Sequence, residues 1–202
     1  MFRIRDLGMD KLIDTIMEKL LSDGFVKEDE AEIVRFGLEL NIMKLIISAA
    51  MLAAAVVFKS APAALIFMAA YPPLRSCCGG YHAKTRMGCF ILSMAVMSTV
   101  IAACRFMLPE ASLITGSAIT LAGVLLIILF APVDTPNKPF DETERRVFRR
   151  RSLIAAALSI VLAAVLAFFR LYKLMSAASL AVFFTGIMLV AGIVSNRKGA
   201  LK

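Results

Sequence analysis

The side chains of this 202-residue chain that could do chemistry crowd into one short polar stretch, RSCCGGYHAKTRMGCF at positions 75 to 90. It holds the only histidine, His82, and three of the four cysteines, Cys77, Cys78 and Cys89. A thiol paired with an imidazole is the material of a nucleophile, because the pair favours the thiolate. His82 and Cys89 lie seven positions apart. On one unbroken helix they would share a face yet stand roughly 10 Å apart along the axis, too far for a hydrogen bond. Gly79-Gly80 before the histidine and Gly88 before the cysteine remove that obstacle. They allow a loop that folds back, with Cys89 in the first turn of the next helix, where the positive end of the helix dipole also favours a thiolate.

Two other readings fit the same residues. In the first the loop is structural: His82 satisfies backbone groups, the cysteines fill space, and Arg75, Lys84 and Arg86 act only as topology signals. In the second, Cys77, Cys78, His82 and Cys89 supply a Cys₃His zinc site. Vicinal cysteines do not easily both reach one tetrahedral ion, however, and the usual C-x₂₋₄-C spacing is missing. No metal is assigned, and no cofactor is expected.

The elements that must position this stretch are membrane helices. Sixty per cent of the residues are hydrophobic and the mean hydropathy is +0.82, too apolar for an ordinary soluble domain. Apolar runs cover roughly 38 to 58, 60 to 73, 88 to 107, 111 to 131, 152 to 169 and 174 to 194, the second being short and ended by Pro72-Pro73. The expected fold is therefore all-α and polytopic, with about six transmembrane helices. Ahead of them, apolar residues from Met9 to Leu21 form a helical stripe closed by Asp23-Gly24. This stripe fits either a cytosolic helix packed on its own protein or an amphipathic helix in the lipid interface. The expected organisation is an N-terminal region at 1–37, a six-helix membrane domain at 38–194 and a tail at 195–202. No removable signal peptide is expected, and the cysteines are expected to be reduced thiols.

Charge sets the orientation. With the N-terminus inside and six crossings, 19 of the 23 lysines and arginines fall on the inner side, leaving only Lys59, Arg105, Arg170 and Lys173 outside. Inverting the chain after a re-entrant second run would expose the basic stretch at 138 to 151, against the positive-inside bias. Both termini and the Cys/His stretch are thus expected at the cytoplasmic face of a plasma membrane, in contact with lipid. No nucleic-acid partner is expected. Glu39, Asn41 and Asp134 are polar candidates to orient His82. A non-enzymatic membrane transporter or adaptor whose Cys/His loop is structural or zinc-binding is the alternative function.

Arg75, Gly79-Gly80, His82-Ala83 and Cys89, in the pattern R-x₃-GG-x-HA-x₅-GC, resemble the central motif of the AgrB (accessory gene regulator B) family of membrane peptidases. The stretch APVDTPNKP at 131 to 139 resembles that family's A-P motif after the fourth span. The resemblance implies a bacterial cysteine endopeptidase that cuts an AgrD-like quorum-sensing propeptide near its C-terminal tail and closes the upstream part into a thiolactone or lactone ring. It further implies Cys89 as nucleophile, His82 as its partner, Arg75 and Gly80 as supporting residues, and a homodimer. An acidic substrate tail, as the family implies, would find a basic counterpart in Arg145, Arg146 and Arg149.

Overall fold

The computed structural model describes residues 7–81, 83, 85–106, 109–134 and 140–200, and its described residues build seven α-helices: α1 (Leu7–Ser22), α2 (Ala31–Val57), α3 (Ala61–Cys78), α4 (Arg86–Phe106), α5 (Pro109–Phe130), α6 (Glu142–Phe168) and α7 (Tyr172–Ala200). Among the described residues, five helical segments are long and apolar enough to cross a membrane, against about six expected: Glu28–Val57, Met87–Phe106, Leu113–Phe130, Glu142–Phe168 and Tyr172–Arg197, with α3 not among them. The chain is an all-α polytopic membrane protein.

It divides into two compact units, Met1–Ala49 and Ala50–Lys202. In the first, α1 forms over the expected apolar stripe and ends at the expected place, where Gly24 turns with φ 72° and Asp23 N–H reaches back to Lys19 O. Ile13 and Met17 on the stripe are buried, whereas Leu12 and Leu21 are exposed. Arg35, in the second turn of α2, joins Asp14 of α1 at 2.7 Å and Glu39 on its own helix at 3.6 Å. Half-exposed pairs of this kind contribute roughly 0 to 1 kcal/mol.

The second unit is organised around α7, which packs against α3, α4, α5 and α6. Small residues make this possible: Ser176, Ala177, Ala178, Ser179 and Ala181 are buried in succession and let neighbouring backbones approach closely. The buried hydroxyls of Ser179 and Thr185 donate to the carbonyls of Met175 and Ala181 on their own helix, so no polar hydrogen is stranded.

Two elements differ from the sequence-based expectation. Helix α3 does not stop at Pro72-Pro73 but runs through both prolines to Cys78. Two prolines in succession remove two helical N–H donors and normally end or kink a helix. Here burial wins, because Ala63, Ala64, Phe67, Ala70, Leu74 and Cys78 form one buried face that spans the prolines and packs on α4, α6 and α7. One end of α3 lies beside Lys173 and Leu174 at the start of α7, and the turn that follows its other end is bonded through Tyr81 N–H to Met188 O further along α7. It therefore traverses the bundle. Helix α6, for its part, begins at Glu142, ten residues before the apolar run, so much of the basic stretch is helix and not loop. Asp141 accepts from Glu144 N–H at 2.6 Å while the Glu144 carboxylate reaches back to Asp141 N–H, a capping box worth about 1 kcal/mol.

Candidate active site

The GG turn is built from three directions. Gly79 caps α3 with φ 74°, and Gly80 follows with φ 101°, both in the region that L side chains rarely adopt. Arg75, one turn back on α3, folds its guanidinium over the turn: Nη1 donates to Gly79 O and Nη2 to Tyr81 O, the latter at 2.6 Å. From the α5–α6 connection, Val133 N–H donates to Cys78 O at 3.0 Å and Val133 O accepts from Gly80 N–H at 3.3 Å, a short parallel bridge. From α7, Met188 O accepts from Tyr81 N–H at 2.8 Å. The packing leaves no room for a methyl group. A Cβ at Gly80 would sit 2.5 Å from Met188 O and 2.9 Å from Arg75 Nη1, and one at Gly192 of α7 would sit 2.7 Å from Tyr81 N.

Beyond the turn, α4 starts at Arg86. Thr85 precedes it and accepts from Gly88 N–H through its hydroxyl at 3.0 Å, while its carbonyl accepts from Cys89 N–H at 3.0 Å. That is an N-cap, and it sets Cys89 as the fourth residue of the helix, partly exposed, near the positive end of its dipole. Tyr71 on α3 comes close enough to both Arg75 and Cys89 to interact electrostatically with each, and its ring stacks on Phe67 at 4.9 Å. Arg75, Tyr71 and Cys89 thus belong to one neighbourhood.

The family model of accessory gene regulator B matches residues 10–189. This chain belongs to the AgrB family. Among similar curated proteins, "Putative AgrB-like protein 2" of Clostridium perfringens (strain 13 / Type A) is 29% identical over 151 residues, covering 71% of this chain and 69% of the relative. "Putative AgrB-like protein" of C. perfringens (strain SM101 / Type A) is 29% identical over 153 residues, covering 71% and 69%. No solved structure matches. Membership links the chain to the accessory gene regulator quorum-sensing system.

Within this AgrB chain the structure joins the two stretches that carry the resemblance, since Cys78–Gly80 is hydrogen bonded to Val133. Asp134, next in line, pairs with Arg145 at 3.1 Å, and its carbonyl accepts from Asn196 of α7 at 2.8 Å. Asp134 is therefore engaged by α6 and α7. Glu39 and Asn41 belong to the first unit, where Glu39 pairs with Arg35. His82, Lys84 and residues 135–139 lie outside the described residues. All four cysteines are free thiols: Cys78 and Cys104 are buried, and Cys77 and Cys89 are partly exposed. Cys78 packs with Leu74, Ile127, Val133, Ala156, Val182 and Leu189, so its position is that of a core residue. The carbonyl of Cys77 accepts from Ser152 of α6 at 2.9 Å.

The three arginines expected to meet substrate have different surroundings. Arg149 turns onto the C-terminal carbonyls of α5, donating to Ile128 O and Ala131 O. Arg145 is held by Asp134, and Arg146 is exposed. Sequence reasoning missed Tyr71, Met188 and Gly192. Only Gly192, a glycine inside an apolar run, left any trace of a close approach.

Proposed function

We propose that this AgrB-family protein is a membrane-embedded cysteine endopeptidase that cleaves a quorum-sensing propeptide near its C-terminal tail and cyclises the upstream part. The observation that carries the reading is the position of Cys89: partly exposed in the capped first turn of α4 and bordered by the Arg75-clamped glycine turn. In this mechanism Cys89 Sγ attacks the scissile carbonyl carbon. The C–N bond breaks as the departing amine takes a proton from the His82 imidazolium, leaving a thioester on Cys89. An internal Cys or Ser of the peptide then attacks the thioester carbonyl and gives its proton to His82. The ring closes as a thiolactone or lactone, and Cys89 departs as thiolate. A site at the lipid boundary limits the water that would otherwise hydrolyse the thioester.

The distribution of lysine and arginine favours a cytoplasmic position for this end of the bundle, where the propeptide is made. An acidic tail would meet exposed Arg146 and its neighbour Arg150, while Arg145 is paired with Asp134 and Arg149 is turned onto the end of α5.

Coexpression tests the reading. With a short peptide carrying an internal Cys or Ser and an acidic tail, mass spectrometry should detect a product that has lost the tail and one further water relative to the linear fragment. A peptide recovered intact from cells containing the inserted protein would count against peptidase activity.

A further inference from the structure

At the end of the second unit opposite the Cys89 turn lies a cavity of about 480 Å³ lined by Lys59, Ser60, Pro62, Cys104, Arg105, Lys173 and their neighbours. Cys104 is fifteen positions along α4 from Cys89, so the two ends are roughly 22 Å apart along the helix axis. A second cavity of about 280 Å³ shares Lys173 and Leu174 and adds Arg170. No carboxylate is among the described residues that line either one.

The cations sit where the backbone does not favour them. Lys59 and Arg170 have φ 54° and 58°, the two positive-φ non-glycine residues among those described, at helix ends where glycine would fit without strain. A cation at a helix C-terminus is at least locally favourable. Lys173 has no such account, because it is the second residue of α7, where the dipole opposes a positive charge and no acidic residue occupies the first turn. The N-terminus of α3, at Ser60 to Ala63, opens on the same cavity, so two positive helix ends converge there with Lys59, Arg105 and Lys173. Arg105 also closes off a competing acceptor by donating to Phe58 O at 3.1 Å. Around the cations, Phe58, Phe106, Phe168 and Phe169 are all more than half exposed. These four basic residues are the ones that oppose the positive-inside bias, so topology does not account for them.

We propose that this cavity binds the phosphate of an anionic phospholipid headgroup, with the acyl chains lying along the exposed phenylalanines. Convergent cations and helix N-termini answer the phosphate, and the aromatic surface answers the lipid body.

The test is native mass spectrometry of the full chain in a non-ionic detergent, titrated with phosphatidylglycerol, phosphatidylcholine or inorganic phosphate. Wild type should retain phosphatidylglycerol in preference to phosphatidylcholine. Lys59→Gly, which keeps the cap conformation, should weaken phosphatidylglycerol binding roughly fivefold, and adding Lys173→Gln should bring the loss to the order of tenfold or more. Arg197→Gln, an exposed cation near the other end of α7, should leave the preference intact. Thermal unfolding of each variant checks that it is folded. Unchanged lipid binding in folded Lys59→Gly/Lys173→Gln would overturn the proposal. So would loss of preference in Arg197→Gln alone, or displacement of the lipid by inorganic phosphate at equal concentration.

Discussion

Cys89→Ala is expected to abolish propeptide processing, by at least about 10³-fold, while the protein still inserts into the membrane. Losing the attacking sulfur removes the thioester route, and no other described thiol occupies an equivalent position. Cys78 is buried among apolar side chains and Cys104 is buried at the far end of α4. Cys77→Ala should leave turnover largely intact, because that residue's fixed contact is made through its backbone carbonyl. Cys78→Ala empties part of a fully buried site, so about 1 kcal/mol of stability should go with it while the folded fraction stays active. Product quantified by mass spectrometry and normalised to membrane-inserted protein separates these cases. Equal loss at all three positions, with zinc in the purified protein, would assign the stretch to metal binding instead.

Gly80→Ala should be strongly damaging for a single added methyl. The residue has φ 101°, and the added carbon would meet Met188 O at 2.5 Å and Met188 C at 2.8 Å, backbone atoms of α7 that cannot swing aside. Strain and overpacking together should cost on the order of 2 to 4 kcal/mol. The turn would separate from α7, and the Tyr81 N–H to Met188 O bond and the Arg75 clamp would go with it. Thermal unfolding in detergent should therefore fall by several degrees, with processing reduced in parallel. Gly37→Ala, on α2 with nothing within 4 Å of the added carbon, is the matched control and should be neutral or mildly stabilising. If Gly80→Ala melted with wild type, the tight glycine–α7 contact would be wrong.

Much of this was legible in the sequence where the signal was local. The helical stripe ahead of Asp23-Gly24, the apolar runs and the Gly88-Cys89 helix start all follow from periodicity and composition within one window. Helix α3 was misread at Pro72-Pro73 because a local rule was overruled by a buried face running from Ala63 to Cys78, which exists only once α7 is in place. The early start of α6 was legible in principle from Asp141 and Glu144 at capping-box spacing. What was not legible is long-range. Gly80 meets Met188 and Cys78 meets Val133 across more than fifty positions, and nothing near Arg149 announces that it serves the end of α5.

The most direct measurement traps the proposed intermediate. The purified full chain is incubated with a propeptide whose internal Cys or Ser is replaced by alanine, so that the ring-closing nucleophile is missing, and is then analysed by intact-mass and peptide-resolved mass spectrometry. The account predicts an adduct of the upstream peptide fragment on Cys89 that hydroxylamine removes, release of the free tail, and no adduct in Cys89→Ala. Cleavage of the peptide with no such adduct under rapid quench, or an adduct carried by Cys77 or Cys78, would contradict it.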